Sequence, residues 1–471
     1  MVWGNRFKKY IKIGALNKRG QTTIELVVPL VIVLFMLIAL ALVIPTLSVI
    51  KTFALLAGVV IFIASFASTE VALYILIFSM LLSPEFIVGS TAGASMGRGV
   101  TLRLDDFLLV IVGFSWLAKM AINKELGLFL KTPLNKPIGF YIIICMLSTL
   151  LGAISGRVDL KTGFFFVLKY FEYMIVYFIV VNNLNDKSQI QRYVWAMLIT
   201  CAVVSFISAA QIPSGERVSA PFEGQVGEPN TFGGYLVFMI AVAMGLLVHS
   251  PSTRDRVIYS GLIALFITLL LYTRSRSSYV AGIPALLTFV VLSGKKHWII
   301  PAFLILGILL PFIAPHVAKE RVTYTFTQGL NQKEAVQVAG VTLDTSTSAR
   351  LKTWAKASKD WIAHPILGYG VTGYGFVDAQ YVRVITETGF IGLIFFFLLM
   401  GTLFKETTKA FEKTEDPFQK GLSMGFIAGF VGLLFHAIGA NTFIIVRIME
   451  PFWFMTALVV MIPRLEDEDQ K

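Results

Sequence analysis

The sequence is poor in charge, in cysteine and in histidine, and each shortage argues against a class of protein. Charged residues make up 14% of the chain and hydrophobic residues 56%, a balance that no soluble domain of ordinary composition has. The two cysteines lie inside apolar runs, which argues against a disulfide framework. The five histidines lack the paired spacing of a metal site. We therefore expect neither a metal nor a cofactor.

Long apolar runs are what the sequence has instead. About fourteen of them are long enough to span a hydrocarbon core of about 30 Å. Their approximate centres are Phe35, Val59, Ile77, Val112, Ile144, Ile175, Ile199, Ile240, Leu265, Leu286, Leu306, Phe395, Ala428 and Met455. Val59 and Ile77 are counted as two spans, although little separates them. The sequence thus predicts an all-α, polytopic membrane protein, with residues 1–471 forming a single integral membrane domain.

The basic residues predict how the chain is oriented in the bilayer. Most of the net charge of +12 lies in short loops, where Lys and Arg mark the cytoplasmic side, so nucleic-acid binding is not expected. The predicted outer connections are 84–106, 154–163, 211–230, 273–277 and 316–384. An even number of spans places both termini in the cytoplasm. Residues 316–384 then form one large periplasmic or extracellular loop.

Four arginines fall on the outer side against this bias: Arg217, Arg274, Arg276 and Arg350. Charged side chains so close to helix ends are costly in lipid unless they face water, protein or an anion. Arg274-Ser275-Arg276 joins two apolar runs by a very short turn, and two guanidiniums there offer fork-shaped donors suited to a diphosphate. The alternative is a pair of anchors at the membrane interface.

The large outer loop contains one predicted amphipathic helix. It begins after the capping residues 344–348 and ends before Pro365. At helical spacing, one face carries Arg350, Trp354, Ala357 and Trp361, and the opposite face carries Lys352, Lys356 and Lys359. An interfacial helix explains the tryptophans, with Arg350 reaching a lipid phosphate. The separation of Arg350 from the lysines favours a role in a binding site.

Three further patterns are interpreted structurally. Residues 18–25 resemble a prepilin processing site, but a first span with basic flanks has the same pattern. Residues 368–373 fit G-x-G-x-x-G without the strand and helix that a nucleotide site requires, so we expect these glycines to serve close backbone packing. Lys169 and Glu172, spaced i,i+3 in an apolar run, are expected to pair with each other.

Several short motifs occur in order on the predicted outer side. They are Glu216-Arg217 through Gly227-Glu228-Pro229-Asn230, Ser275-Arg276-Ser277-Ser278-Tyr279, Ser348-Ala349-Arg350 with Trp354, His364-Pro365 with Gly368-Tyr369-Gly370, and Tyr381 with Glu387-Thr388-Gly389-Phe390-Ile391-Gly392. Together, over roughly residues 100–460, they resemble the O-antigen ligase/polymerase superfamily. The resemblance implies a metal-independent, inverting glycosyltransferase of the bacterial cytoplasmic membrane whose active site faces outward.

The resemblance also implies the substrates and partners. The donor would be a glycan linked to undecaprenyl diphosphate or a similar polyprenyl diphosphate, the acceptor a second glycan, and a flippase and a chain-length regulator are candidate partners. By matching position, Arg217 and Arg276 would hold the donor diphosphate. Arg274 and Arg350 complete the predicted cationic site, and the predicted substrate contacts are Asn230, Trp354 and Tyr381.

One departure from the family pattern bears on the reaction. Ligases of this family usually carry His-Asn just before the matched tyrosine, whereas this chain has Asp378-Ala379. The difference favours a polymerase that joins repeat units of an exported or surface polysaccharide over a ligase that acts on lipopolysaccharide or on protein. The candidate catalytic bases are Asp378, Glu387 and His364, with Asp378 first. A transporter of an anionic lipid or solute is the alternative from another class, but the sequence has no convincing internal repeat.

Overall fold

A computed structural model of the chain describes residues 49–90, 99–122, 130–223, 227–294 and 345–469, together with single residues or pairs between 316 and 342. Within these segments the chain is mainly helical, as the apolar runs predict. The predicted span centres Phe35 and Leu306 and the prepilin-like residues 18–25 lie outside the described residues. Every other predicted span centre lies in a helix.

The helices alternate with short connections along the described chain. In the first half they are α1 Val49–Ala67, α2 Thr69–Leu82, α3 Leu104–Ile122, α4 Asn135–Ile154, α5 Leu160–Asn183 and α6 Lys187–Ala209. In the second half they are α7 Pro229–His249, α8 Thr253–Thr273, α9 Arg276–Leu292, α10 Thr345–Asp360, α11 Gln380–Lys413, α12 Pro417–Gly439 and α13 Val446–Asp469.

Two small antiparallel sheets depart from the all-α prediction. Strand β1, Glu85–Ser90, pairs with β2, Gly99–Arg103, and strand β3, Gln337–Val338, pairs with β4, Val341–Thr342. The first hairpin lies in the predicted outer connection 84–106. A hairpin satisfies the backbone groups of such a connection locally, and period-2 patterning over five or six residues is too short a signal to stand out in an apolar chain.

Eight of the described helices are long and apolar enough to cross a membrane, namely α4 to α8 and α11 to α13. Shorter apolar helices occupy Leu56–Ala67, Thr69–Leu82 and Arg276–Leu292. The chain is therefore a multi-pass membrane protein. The predicted number of fourteen spans is not confirmed by the described residues, and the outer position of 316–384 stays a prediction.

The two predicted spans around Val59 and Ile77 are separate helices. Ser68 lies between α1 and α2 with φ −142° and ψ 109°, outside the helical region, and its side chain accepts a hydrogen bond from the N–H of Val71. This N-cap satisfies a backbone donor that the new helix would otherwise leave unpaired. One capped residue is thus enough to end α1 and start α2.

Helices α7 and α12 approach each other closely at glycines. In α12, Gly421, Gly425 and Gly429 recur at every fourth residue, a spacing of small residues with which membrane helices pack. A Cβ atom on Gly425 would lie 2.7 Å from the carbonyl oxygen of Ala241 in α7. A Cβ atom on Gly245 of α7 would lie 2.1 Å from the carbonyl oxygen of Gly421. Because these neighbours are backbone atoms, the crossing leaves no room for side chains.

We expect Gly425→Ala to destabilise the folded protein by about 1–3 kcal/mol, because overpacking a tight contact forces backbone shifts of that cost. Gly401→Ala is the matched control, since a Cβ atom there meets nothing within 4 Å and alanine favours a helix over glycine by about 1 kcal/mol. Thermal unfolding of both purified variants in detergent measures the difference. An unfolding midpoint for Gly425→Ala at or above that of the parent protein would contradict the close packing.

Helix α11 is interrupted at Gly389. Its φ of 67° and ψ of −169° lie in a region that is essentially open to glycine alone. The interruption leaves backbone groups without helical partners, and the preceding loop pairs with them: the N–H of Phe390 donates to the carbonyl of Pro365 at 2.8 Å. A short N-terminal segment of α11 is thereby separated from its long apolar part.

The loop at 365–373 packs its own glycines against this interruption. Gly368 has a φ of 68°, and a Cβ atom on it would lie 2.5 Å from the carbonyl oxygen of Thr386 in α11. The N–H of Tyr369 donates to the same carbonyl at 2.9 Å, and the N–H of Gly370 donates to that of Glu387 at 2.8 Å. The prediction that these glycines serve close backbone packing is confirmed.

Buried ion pairs connect α3, α5 and α13. The predicted Lys169–Glu172 pair is confirmed at 3.0 Å, and Lys169 also contacts Asp106 at the start of α3. Arg103, at the end of β2, pairs with Asp105 at 2.7 Å and with Glu450 of α13 at 3.2 Å. Because a charge buried without its partner is strongly destabilising, these pairs fix how the three helices meet. The i,i+3 spacing predicts only the local pair among them.

Candidate functional site

Arg217 lies in the loop between α6 and α7 and reaches the end of α8. Its Nε donates to the carbonyl oxygen of Thr273 at 3.0 Å, and its Nη2 donates to Oδ1 of Asn230 at 3.2 Å. Nη2 also lies 3.5 Å from the carbonyl oxygen of Arg274. Asn230 is in the first turn of α7, where Pro229 favours the start of a helix. The structure thus brings together Arg217, Asn230 and the turn at Arg274, as the predicted donor site requires.

The turn between α8 and α9 holds the next two predicted arginines. Arg274 ends α8 in the left-handed conformation, with φ 49°, and its Nη2 donates to the carbonyl oxygen of Gly215 at 2.8 Å. Such a backbone conformation is uncommon for a residue with a side chain. Ser275 caps α9 by accepting the N–H of Ser278, and Arg276 is the first residue of that helix. The positive end of the α9 dipole adds to the charge of the arginines there.

Arg350 is ion-paired with Asp378, the first candidate for the catalytic base. Both Nε and Nη2 of Arg350 donate to Oδ2 of Asp378, at 3.1 and 2.8 Å. The two side chains are 23% and 28% exposed, so the pair remains open to an incoming molecule. Helix α10 is held in place because Ala357 is buried against Val377 and Ala379, the neighbours of Asp378. The predicted orientation of α10 is confirmed, with Ala357 buried and the opposite lysines exposed.

The extended segment that carries Asp378 is fixed by the connection between α12 and α13. The side-chain amide of Asn441 donates to the carbonyl oxygen of Val377 at 2.8 Å. The N–H of Phe443 donates to the side-chain oxygen of Gln380 at 3.0 Å. One hydrogen bond lies on either side of Asp378, so the connection sets the position of its carboxylate.

The other two candidate bases have different cationic partners. Glu387 is 5% exposed, and its Oε1 accepts from Nε of Arg383 and from the N–H of Thr372, both at 3.1 Å. The ring of His364 contacts Nη1 of Arg157 at 2.6 Å and at 2.9 Å. Each of the three candidates thus pairs with its own arginine, and Glu387 is the most enclosed of them. The sequence did not predict Arg157, because its pairing with His364 spans distant parts of the chain. Arg383 was also missed, although its i,i+4 spacing from Glu387 was a signal.

Trp354 and Tyr381 are both predicted to contact substrate, and the structure gives them different packing partners. Trp354 packs beside the small buried cluster around Ala357, between Arg350 and the rest of α10. The hydroxyl of Tyr381 donates to the carbonyl oxygen of Leu434 in α12 at 2.6 Å, and its ring stacks on Phe397 at 5.7 Å between centroids. Its hydroxyl is therefore engaged in joining α11 to α12.

His436, near the end of α12, was missed by the sequence interpretation. It is fully buried, and its ring nitrogens contact the hydroxyls of Thr442 and Ser278. Arg350 is close enough to interact with it electrostatically. His436 therefore lies against the first turn of α9, which contains Ser278. The signal was present, because an ionisable residue inside an apolar span is rare and marks a site more often than not.

The loop of Arg217 also contains a buried carboxyl group, Glu223. Burial raises the pKa of Glu223 to about 8, although the nearby Arg447 guanidinium opposes the rise. The N–H of Glu228 donates to its Oε2 at 2.9 Å. The pKa of Glu223 in the folded protein thus lies above its ordinary value of 4.5. The stability that Glu223 contributes to the fold is therefore complete below pH 4.5 and is lost as the pH rises through about 8.

Among the residues that the structure describes, no group of three or more His, Cys, Asp or Glu side chains is arranged to hold a metal ion. The positive charge at this site is supplied instead by guanidinium groups, which bind anions by fork-shaped hydrogen bonds. The guanidiniums of the Arg217 cluster are groups that can bind an anion, and the Asp378 carboxylate is a group that can accept a proton.

Comparison with known families identifies the region that contains most of this site. Residues 261–397 match a family described as O-antigen ligase. The matched region includes the turn at Arg274 and Arg276, helix α10 with Arg350, and the segment of Asp378. The resemblance drawn from the sequence motifs is confirmed by this match. A comparison with curated proteins gives no match.

Proposed function

As the match over residues 261–397 supports, the chain is a member of the O-antigen ligase superfamily, and we propose that it polymerises polyprenyl-diphosphate-linked oligosaccharide repeat units. The family comprises glycosyltransferase-like enzymes that use a lipid-linked glycan donor and an acceptor in a membrane. The proposal places the reaction on the outer face of the bacterial cytoplasmic membrane, where it produces a surface or exported polysaccharide. A flippase and a chain-length regulator are the partners that such a reaction needs.

The observation that carries this proposal is the position of Arg217 against the Arg274–Arg276 turn. A diphosphate has several anionic oxygens, and Arg presents planar donors that match them in pairs. As the bond between the sugar and the diphosphate breaks, negative charge grows on the leaving group. Guanidiniums already oriented at that point stabilise the growing charge without further rearrangement.

The reaction also needs a base for the acceptor hydroxyl, and we assign that role to Asp378. A hydroxyl oxygen of the acceptor forms a bond to the anomeric carbon of the donor, and the bond from that carbon to the diphosphate oxygen breaks. Attack from the side opposite the leaving group inverts the anomeric configuration. The hydroxyl proton passes to Asp378, and the polyprenyl diphosphate leaves with its charge held by Arg217 and Arg276. Arg350 orients the Asp378 carboxylate through two hydrogen bonds until the acceptor arrives.

The polymerase assignment depends on Asp378-Ala379 in place of the His-Asn of family ligases. A ligase that transfers glycan to a lipopolysaccharide core or to protein is the second candidate within the same chemistry. Deleting the gene and separating the cell's polysaccharides on a gel tests the proposal. Loss of long polymer supports a polymerase, long polymer that is no longer attached to its carrier indicates a ligase, and an unchanged pattern contradicts both.

We also propose that both termini are cytoplasmic and that 316–384 lies outside, because the basic loops alternate in that sense. Cysteine at Lys356, an exposed position on α10, is expected to react with a membrane-impermeant thiol reagent on intact cells. Cysteine at Lys413, at the end of α11, is expected to react only after the cells are opened. The native Cys145 and Cys201 are buried and give little background. Labelling of Lys413→Cys but not of Lys356→Cys on intact cells would reverse the orientation.

A further inference from the structure

Five buried polar residues form a continuous series of hydrogen bonds beside the arginine cluster, four of them through their side chains and the fifth through the backbone N–H of Ser275. They are Thr442, His436, Ser278, Ser275 and Thr273, and each is 0% exposed. They come from the α12–α13 connection, from α12, from the start of α9 and from the end of α8. Fully buried polar groups are costly unless each one is paired, so these contacts hold the four segments in a defined arrangement.

The hydrogen-bonding contacts in this series are short and involve both ring nitrogens of His436. Oγ of Ser278 lies 2.7 Å from Oγ of Ser275 and 3.2 Å from Nε2 of His436. Nδ1 of His436 lies 2.8 Å from the hydroxyl oxygen of Thr442. The imidazole is therefore held from both sides by hydroxyl groups.

The series of hydrogen bonds ends at Arg217 and Arg276, the two arginines that the resemblance implies as donor-binding. Oγ1 of Thr273 accepts the N–H of Ser275 at 3.2 Å, while the carbonyl oxygen of Thr273 accepts from Nε of Arg217 at 3.0 Å. Ser275 is also the N-cap of α9, the helix that begins with Arg276. The backbone from Thr273 to Ser275, on which both arginines depend, is therefore oriented by the other end of the series, at His436 and Thr442.

Helix α7 closes over the chain at two consecutive glycines. A Cβ atom on Gly233 would lie 2.4 Å from Oγ of Ser278, and one on Gly234 would lie 3.0 Å from Cε1 of His436. The same helix carries Asn230, the side-chain partner of Arg217, in its first turn. The glycines let α7 exclude water from the chain and keep Asn230 against Arg217 at the same time.

We propose that His436 is a positioning residue of the donor site. Acting through Ser278 and Ser275, it holds the guanidiniums of Arg217 and Arg276 in the orientation that binds a diphosphate. This inference rests on the proposed function, because it takes the arginine cluster to be the diphosphate site. A histidine that only filled space would not need hydrogen-bonding contacts at both ring nitrogens.

Binding of farnesyl diphosphate, a short-chain polyprenyl diphosphate, to the purified full chain in detergent tests this role, with farnesol as the uncharged control. We expect His436→Ala and Ser278→Ala each to weaken binding by about tenfold to a hundredfold, the scale of a misplaced binding group. The double variant should bind farnesyl diphosphate no more weakly than the weaker-binding single variant, because both changes interrupt the same series of hydrogen bonds. In turnover assays, the KM for the donor should rise and the KM for the acceptor should stay unchanged.

Ser423→Ala is the matched control. Ser423 is also 0% exposed and lies on the same helix as His436, and among the described residues its hydroxyl has no hydrogen-bond partner. We expect this variant to bind farnesyl diphosphate like the parent protein. A loss of binding equal to that of Ser278→Ala would show that any buried serine disturbs the site and would overturn the positioning role.

Arg217→Ala separates failure of this inference from failure of the proposed function. If Arg217→Ala binds farnesyl diphosphate normally, the donor site is misplaced and the proposed function fails with it. If Arg217→Ala loses binding while Ser278→Ala and His436→Gln keep it, only the positioning role is wrong. Ser278→Ala decides the question if His436→Ala does not fold, because it breaks the same chain by removing a single oxygen.

Discussion

Alanine at Arg217 or at Arg276 is expected to abolish polymer formation while the protein level in the membrane stays near normal. Removing one oriented donor from a developing negative charge costs about 10²–10³ in turnover, and each variant removes a whole guanidinium. The half-buried position of Arg217 against Thr273 and Asn230 orients its donors before substrate arrives. Polymer on gels and turnover of lipid-linked repeat units by purified protein measure the effect.

Lysine at the same two positions is expected to rescue poorly. Lysine restores the charge but not the planar pair of donors, so it binds a diphosphate as a point charge only. Lys352→Ala is the control for loss of one positive charge, because Lys352 is exposed on the far face of α10. Full activity in both alanine variants would remove the diphosphate site from the arginine cluster.

Asp378→Asn is expected to lower turnover by about 10²–10⁴, the usual contribution of a general base, with donor binding retained. Asparagine has nearly the shape of aspartate and can still accept a hydrogen bond from Arg350, so the segment between Val377 and Gln380 should stay in place. Purified protein, lipid-linked repeat units and a farnesyl diphosphate binding assay separate turnover from binding.

The other candidate bases provide the comparison. Glu387→Gln leaves the guanidinium of Arg383 buried without its countercharge, and breaking such a pair costs about 3–5 kcal/mol. We therefore expect less folded protein from Glu387→Gln, with normal activity per folded molecule. His364→Ala is expected to have a small effect, since the partner of His364 is Arg157 in the connection between α4 and α5. Normal turnover in Asp378→Asn, with collapse per folded molecule in either other variant, would move the base to that residue.

The sequence alone predicts the features that repeat or that depend on near neighbours. Apolar runs predict the helices, the i,i+3 spacing predicts the Lys169–Glu172 pair, and the spacing in α10 predicts that Ala357 faces inward while Lys356 faces outward. In each case the interacting residues lie within about two helical turns, where the helix repeat alone determines which side chains meet. Tertiary structure then adds partners but does not change these assignments.

Features that depend on distant residues were not predictable in the same way. The partner of Asp378 is 28 residues away, and that of His364 is 207 residues away. No periodicity connects such pairs, because their meeting depends on how the helices pack. The interruption of α11 at Gly389 was also missed, since one glycine in an apolar run has no clear meaning until the loop that pairs with it is known. His436 was missed although its position inside an apolar span was a signal, whereas its contact with Ser278, 158 residues away, was not predictable.

Residues 441–443, in the short connection between α12 and α13, bear on which parts of the protein can change when its sugar specificity changes. Through Asn441 and Phe443 it holds the segment of Asp378, and through Thr442 it holds His436. The predicted proton acceptor, Asp378, and the proposed support of the leaving-group site, His436, are thus both held by residues 441–443. We therefore expect the distance between them to be set before any sugar enters. We therefore expect changes of sugar specificity to come from substitutions in α10 and in the predicted outer loop 316–384, and not from substitutions at residues 441–443.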